Sequence, residues 1–347
     1  MKAIVRDNYG SPDVLELEDL NKPEPGDDGV LLRVLATSVN PADWHILRGD
    51  PYFARLQLGL RKPKDKVLGC DVAGRVESVG KNVTTFRPGD EVFGSPFMRG
   101  FGAFAKYLCV SEDLLAPKPA TVSFEQAAAV PLAGLTALQG LRDHGRIKPG
   151  HKVLIVGASG GVGTFAVQIA KSFDAEVTGV CSTRNVEMVR SLGADHVIDY
   201  TRVDFTQRGQ KFDLIFQLAG KRSPSECRRA LVSGGTLVLS SGESEGRWIG
   251  PVGRIIKALV LSPFVREKMA SFTVKPNKED LLFLRQLIEA GKLAPVIDRT
   301  YPLTEVPEAL RYLEEGHARG KVVITVRDAE DSAGGSAGDS AGGSAGV

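Results

Sequence analysis

Two patterns of apolar spacing divide the chain. Up to about residue 119, short β-branched and aromatic runs (3–5, 30–36, 72–79, 91–93 and 104–110) alternate with turn signals. Pro25-Gly26, Gly80-Lys81-Asn82 and Pro88-Gly89-Asp90 supply those turns. No run leads into a crossover helix of the right length, so the pattern predicts an irregular antiparallel barrel. From about Phe124 the period changes. Residues 124–142 read helical, and Pro149-Gly150 introduces a strand at 152–156. Strands are predicted at 176–180, 196–199, 213–218 and 236–240, with helices at about 162–173, 185–192 and 225–232. That alternation implies a parallel, doubly wound sheet covered on both faces. A strand near 271–274 precedes a helix capped by Asn277, with Leu281, Leu284 and Ile288 on one stripe and Gly291 as its stop. Residues 296–326 return to strand, short helix, strand, and are expected to rejoin the barrel.

The predicted organisation is an α/β protein with a discontinuous first domain, 1–123 plus 293–327, and a second domain, 124–292. Residues 328–347 form a Ser-Ala-Gly repeat, expected to be a disordered tail because it has no apolar area to bury. That tail has four acids and no base, so the rest of the chain carries +6 against +2 for all 347 residues. The mild bias suits an anionic cofactor. Balanced charge, 44 bases against 42 acids, argues against nucleic acid, which needs a basic stripe. Hydrophobic content of 42% allows a full core, and no apolar run reaches the roughly 18 residues of a membrane span. The N-terminus reads as a first strand without a signal-type apolar region. Cys70, Cys109, Cys181 and Cys227 form no CxxC pair, as expected of buried thiols in a reducing cytoplasm.

The strongest chemical signal is Val153-Leu154-Ile155-Val156-Gly157-Ala158-Ser159-Gly160-Gly161-Val162-Gly163, an apolar strand entering glycines and then a helix. Glycines permit a tight turn and close backbone approach, and a helix N-terminus offers unpaired N–H groups to a pyrophosphate. Ala158 holds the first slot of the usual dinucleotide spacing, Gly160 and Gly163 the others. About 20 residues further on, a cofactor with a free ribose 2′-hydroxyl usually meets an acid. Here that place reads Cys181-Ser182-Thr183-Arg184-Asn185. Hydroxyls and a guanidinium suit a 2′-phosphate, so NADPH is favoured over NADH. Ser182 and Thr183 also fit the simpler role of capping the next helix.

The order barrel-then-parallel-sheet resembles the medium-chain dehydrogenase/reductase superfamily over residues 1–327. The residues that carry the resemblance are Val39-Asn40-Pro41-Ala42-Asp43, Gly69-Cys70-Asp71-Val72-Ala73-Gly74, Ala133-Gly134-Leu135-Thr136-Ala137, the glycine loop and Gly320-Lys321-Val322-Val323. It implies a GroES-like β-barrel domain plus a Rossmann sheet. One branch of that superfamily binds zinc with a Cys where Asn40 stands, a Gly-His-Glu where Gly69-Cys70-Asp71 stands, and a later Cys near Leu132. Catalytic zinc needs about three N or S ligands, and that set is gone; the four-cysteine lobe of that branch is also missing between Phe93 and Phe104. The pattern is similar to the zinc-independent quinone oxidoreductase and alkenal reductase branch, whose members pass hydride from NADPH to a quinone or an α,β-unsaturated carbonyl.

The resemblance implies that Ser159, Gly160, Gly161 and Val162 meet the pyrophosphate, and that Ser182, Thr183 and Arg184 hold the 2′-phosphate. Tyr200 would lie on the adenosine side, with Thr136, Leu218, Ser240 and Lys321 on the rest of the cofactor and Asn40 by the nicotinamide ribose or substrate oxygen. Tyr52 matches a proton-donating tyrosine of related enoyl reductases, although a surface-loop aromatic explains it equally well. The apolar, basic stretch 247–268 reads either as a surface touching membrane or lipophilic substrate, or as a helix packed beside the cofactor domain. The expected protein is a cytoplasmic homodimer using NADPH and a small quinone, enal or enone. Open alternatives are an enoyl-thioester reductase and a slow-turnover NADPH-binding regulatory protein.

Overall fold

The structure, a computed structural model, describes residues 1–220, 222–239 and 266–326. Ser240, most of the 247–268 stretch and the 328–347 tail lie outside the described residues.

The first part of the chain builds β1 (Lys2–Val5), β2 (Glu16–Asp19), β3 (Gly29–Val39), α1 (Pro41–Arg48), α2 (Arg55–Leu58), β4 (Val72–Val79), β5 (Glu91–Gly94), β6 (Tyr107–Ser111) and β7 (Leu115–Pro117). Strands β1 and β2 form an antiparallel pair of their own. Strand β3 is the spine of the first large sheet, because it stays largely buried over 11 residues and three neighbours pair with it. Where β4 crosses it, a Cβ on Gly74 would stand 2.2 Å from the Arg33 carbonyl oxygen, so only glycine fits there.

The second part builds α3 (Phe124–Ala128), α4 (Pro131–Gln139), β8 (Lys152–Val156), α5 (Gly161–Ser172), β9 (Glu176–Cys181), α6 (Val186–Ser191), β10 (His196–Asp199), β11 (Phe212–Gln217), α7 (Pro224–Arg228), β12 (Leu231–Leu239) and β13 (Lys268–Ser271). These strands form one parallel sheet in the order β10-β9-β8-β11-β12-β13. Val153, Leu154 and Ile155 are fully buried, as a strand covered on both faces requires. The order reverses direction between β8 and β11, and in doubly wound sheets that reversal opens the ligand crevice at the carboxyl ends of the strands.

The chain ends with α8 (Lys278–Glu289), β14 (Ile297–Pro302), α9 (Val306–Glu314) and β15 (Lys321–Thr325). Asn277 caps α8 by accepting the Asp280 N–H, and Leu281, Leu284 and Ile288 are buried as the stripe predicts. Strand β15 returns to the first sheet and pairs antiparallel with β3. The fold is thus a GroES-like β domain joined to a Rossmann sheet.

Several boundaries differ from expectation. The helix read over 124–142 breaks at Pro131, which opens α4, and the chain then loosens into a π-turn at Gly140–His144. A Cβ on Gly140 would stand 2.3 Å from the Phe216 ring, so packing against β11 sets that turn. The helix expected at 225–232 stops at Arg228, because Leu231 already belongs to β12. Strand β13 forms three residues before the predicted 271–274, in register with β12 from Thr236↔Lys268 to Leu239↔Ser271. The pair β14–β15 is parallel inside an otherwise antiparallel sheet.

Candidate cofactor and active site

The glycine loop lies at the reversal between β8 and β11. Gly157 takes the left-handed φ of +89°, and a Cβ there would meet the Ala219 methyl at 2.7 Å. At Gly163 a Cβ would stand 2.1 Å from the Gly157 carbonyl oxygen, so this glycine lets α5 close onto its own strand. Gly160 caps α5 from an extended conformation with no side-chain cap, so no capping side chain fills the first-turn N–H groups. Across the crevice, the Gly320 N–H donates to the Ser159 carbonyl at 2.9 Å, and Gly160 bridges to Gly320. The return of β15 therefore fastens the first sheet onto the loop.

Two cavities meet along this loop. The larger, about 480 Å³, is walled by Ser159, Ser182, Arg184, Tyr200, Arg222 and His317 among others. The smaller, about 170 Å³, is walled by Asn40, Gly161, Val162, Leu218 and Lys321. Both share Gly157, Gly160, Ala219, Gly316 and Ala318, so they form one trough across the N-terminus of α5. At its broad end the Arg184 guanidinium donates to the His317 carbonyl at 3.0 Å. Arg222 pairs with Asp204 at 2.8 Å and with Glu226 at 3.0 Å. Hydrogen bonds from the Ser223 backbone and hydroxyl, reinforced by Arg222, hold the Glu226 carboxyl down at about 2.

The narrow end rests on a buried polar cluster. Lys321 is 3% exposed and its Nζ donates to Asn40 Oδ1 at 2.5 Å, to the Val39 carbonyl at 3.3 Å and to Asp71 Oδ2 at 3.5 Å. Asn40 Nδ2 donates to the same Asp71 oxygen at 2.9 Å, and the Ser38 hydroxyl does so at 2.5 Å. The other Asp71 oxygen accepts the Leu132 N–H at 2.8 Å. Behind Asn40, its own N–H donates to Asp43, whose second oxygen accepts the Cys70 thiol at 3.0 Å. Burial lifts the Asp43 carboxyl to about 6, and burial with Asp43 nearby pushes the Cys70 thiol well up. By the resemblance to the zinc-binding branch, Asn40, Cys70 and Asp71 stand where its ligands would be, with a further one near Leu132. An ammonium, that of Lys321, touches two of them. Among the described residues, no group of three or more His, Cys, Asp or Glu is placed to hold a metal ion.

Of the residues singled out by sequence, Ser159, Gly160, Ser182, Arg184 and Tyr200 line the broad end, and Asn40, Gly160, Gly161, Val162, Leu218 and Lys321 the narrow end. Three line neither. The Thr136 hydroxyl donates to the Leu132 carbonyl at 2.7 Å within α4. The Thr183 hydroxyl donates to Asp199 at 2.5 Å. Tyr52 lies under the Arg55 guanidinium, 4.7 Å from its ring centre. Ser240 is outside the described residues. Sequence reasoning missed Asn185, Arg222 and His317. Asn185 sits in the very segment read for the 2′-phosphate, so position alone flags it. Arg222 and His317 come from loops far along the chain and carry no local signal.

Family models agree with this architecture: one described as alcohol dehydrogenase GroES-like domain matches residues 26–120, and one described as zinc-binding dehydrogenase matches residues 192–324. The 2-methylene-furan-3-one reductase of Solanum lycopersicum is 37% identical, covering 93% of this chain and 79% of its own. The chloroplastic NADPH-dependent alkenal/one oxidoreductase of Arabidopsis thaliana is 35% identical with the same coverage. Among solved structures, the quinone oxidoreductase of Coxiella burnetii superposes with a TM-score of 0.82 at 33% identity, over 94% of this chain and 99% of its own. Shared sequence and superposable structure lead to one assignment: the chain belongs to the medium-chain dehydrogenase/reductase superfamily, in the branch of quinone oxidoreductases and alkenal reductases.

Proposed function

We propose that the protein is an NADPH-dependent oxidoreductase that passes hydride to a quinone or to the C=C bond of an α,β-unsaturated carbonyl. The observation that carries this reading is the continuous trough from Arg184 and Ser182, past the N-terminus of α5, to Lys321 and Asn40. Its shape and chemistry fit a dinucleotide phosphorylated on one ribose. The cradle needs glycine at Gly157 and Gly163, and the acid on its broad wall, Asp204, is already paired with Arg222. Ser159, Gly160, Gly161 and Val162 would take the pyrophosphate, and Ser182 and Arg184 the 2′-phosphate; the Thr183 hydroxyl, donated to Asp199, would reach that phosphate only by giving up this bond. Tyr200 would flank the adenosine, with Leu218 and Lys321 along the remainder.

When bound, the cofactor supplies the hydride. The chain's own task is to fix the acceptor and favour the negative charge that grows on its oxygen. Asn40 is held by Lys321 on one side and Asp71 on the other, so its amide cannot turn. The Lys321 ammonium, buried beside it, is the local positive charge. This arrangement supports zinc-independent chemistry in a site whose family model is named for zinc. Tyr52 lines neither cavity and lies under Arg55, so it would donate a proton to the enolate only by moving toward the narrow end. Tyr52→Phe should lower enone turnover at intact NADPH affinity if it does, and unchanged turnover would leave it a surface-loop aromatic.

The same reading takes 1–123 plus 293–327 as the catalytic domain and 124–292 as the nucleotide domain, in a cytoplasmic homodimer. No helix among the described residues is long and apolar enough to cross a membrane. The deciding assay follows NADPH oxidation with 1,4-quinones, acrolein-type enals and crotonyl thioesters. Turnover of quinones or enals is the expected outcome. Preference for the thioester would make it an enoyl-thioester reductase, and tight NADPH binding without turnover would make it regulatory.

A further inference from the structure

Asn185 occupies the N-cap of α6, where an asparagine side chain commonly accepts a first-turn N–H. Here it makes no such bond. Its Nδ2 instead donates to Ser159 Oγ at 3.0 Å and to Ser182 Oγ at 3.3 Å. Ser159 belongs to the turn after β8 and Ser182 to the turn after β9, so one amide ties together the tips of two neighbouring strands. Asn185 is 4% exposed and lines the larger cavity. Its Oδ1 is buried without a hydrogen-bond partner. An unsatisfied buried acceptor lowers stability, and such local violations concentrate where function demands them.

The donor end explains the arrangement. A serine hydroxyl has one O–H to give and two lone pairs to fill. Asn185 fills a lone pair on each serine, and neither hydroxyl donates to any other described residue. Each O–H is therefore left to turn toward an anionic oxygen in the cavity. An aspartate would reverse the polarity, drawing both O–H groups to itself and adding a negative charge.

We infer that Asn185 is a positioning residue that aims Ser159 and Ser182 at the phosphates of the cofactor and thereby sets the preference for a 2′-phosphorylated ribose. The inference rests on the proposed NADPH site. It is tested by titrating NADPH, NADH and 2′,5′-ADP into the wild type, Asn185→Asp, Asn185→Ala, Ser182→Ala and the Asn185→Ala/Ser182→Ala double variant, alongside melting of the ligand-free proteins. Asn185→Asp should weaken NADPH and 2′,5′-ADP by about tenfold or more and NADH by less. Asn185→Ala should weaken NADPH without lowering the ligand-free Tm, and should add less than its full effect to Ser182→Ala, because one of the two hydroxyls it orients is already gone and only Ser159 is left. Equal losses for NADPH and NADH, a lowered ligand-free Tm that accounts for the weaker binding, or fully additive effects in the double variant would overturn the inference alone. A wild type that takes up neither NADPH nor 2′,5′-ADP would overturn the proposed function with it.

Discussion

Lys321 and Asp71 are both almost fully buried, 3.5 Å apart, and share Asn40 as a common partner. Removing one partner of such a pair leaves a buried charge, which costs about 3–5 kcal/mol. Lys321→Met should accordingly lower the unfolding free energy by about that much, measured by denaturant titration. Adding Asp71→Asn should recover much of the stability but, if Lys321 serves the proposed reaction, not the turnover, because the buried cation at the narrow end is still gone. Recovery of activity in the double variant would show that Lys321 only balances Asp71. Asp43 gives a pH signature. Burial raises its carboxyl from 3.8 to about 6, so the folded state binds the proton more tightly than the unfolded state. Its contribution to stability is complete below about pH 4 and is lost as pH rises through about 6. The Tm difference between wild type and Asp43→Asn should therefore fall across that window and stay flat above it. A difference that grows across the same window would contradict the assigned shift.

The elements whose logic is local were legible in the sequence. Strand β8, the glycine loop and α5 follow from an apolar run, glycines and a helical stripe, and α8 follows from Asn277 and its Leu281, Leu284, Ile288 face. What escaped depended on partners elsewhere. The π-turn after α4 exists because Phe216 of β11 presses on Gly140, and the early start of β12 is set by pairing with β11 rather than by helix propensity. Two substitutions separate these levels. Asn277→Ala removes a cap and should destabilise by about 1 kcal/mol while leaving cofactor affinity unchanged. Gly163→Ala would press a methyl onto the Gly157 carbonyl, so α5 must move off its strand. The expected cost is about 1–3 kcal/mol together with a large loss of NADPH affinity, read by melting and by titration. Normal affinity in Gly163→Ala would show that the phosphate cradle tolerates a shifted helix.

At the scale of the molecule, the site is assembled from residues between Asn40 and Lys321, and the bond from Gly320 to Ser159 locks the returning strand against the loop. The sequence showed that the C-terminal strand rejoins the first sheet. It did not show that Arg222 and His317 wall the nucleotide trough, because only the sheet order brings their loops to one crevice. A ligand bound across both lobes should stabilise them together: NADPH at about 100 times its Kd should raise the unfolding free energy by about 2.7 kcal/mol. The most direct measurement is single-turnover oxidation of NADPH deuterated at the transferring position, mixed with an enone and a 1,4-quinone after exhaustive chelation. The expected result is NADPH oxidation at the unchelated rate, with deuterium on the β-carbon of any reduced enone. No oxidation with either acceptor, or a rate that collapses on chelation and returns with zinc, would contradict hydride transfer by a metal-free site.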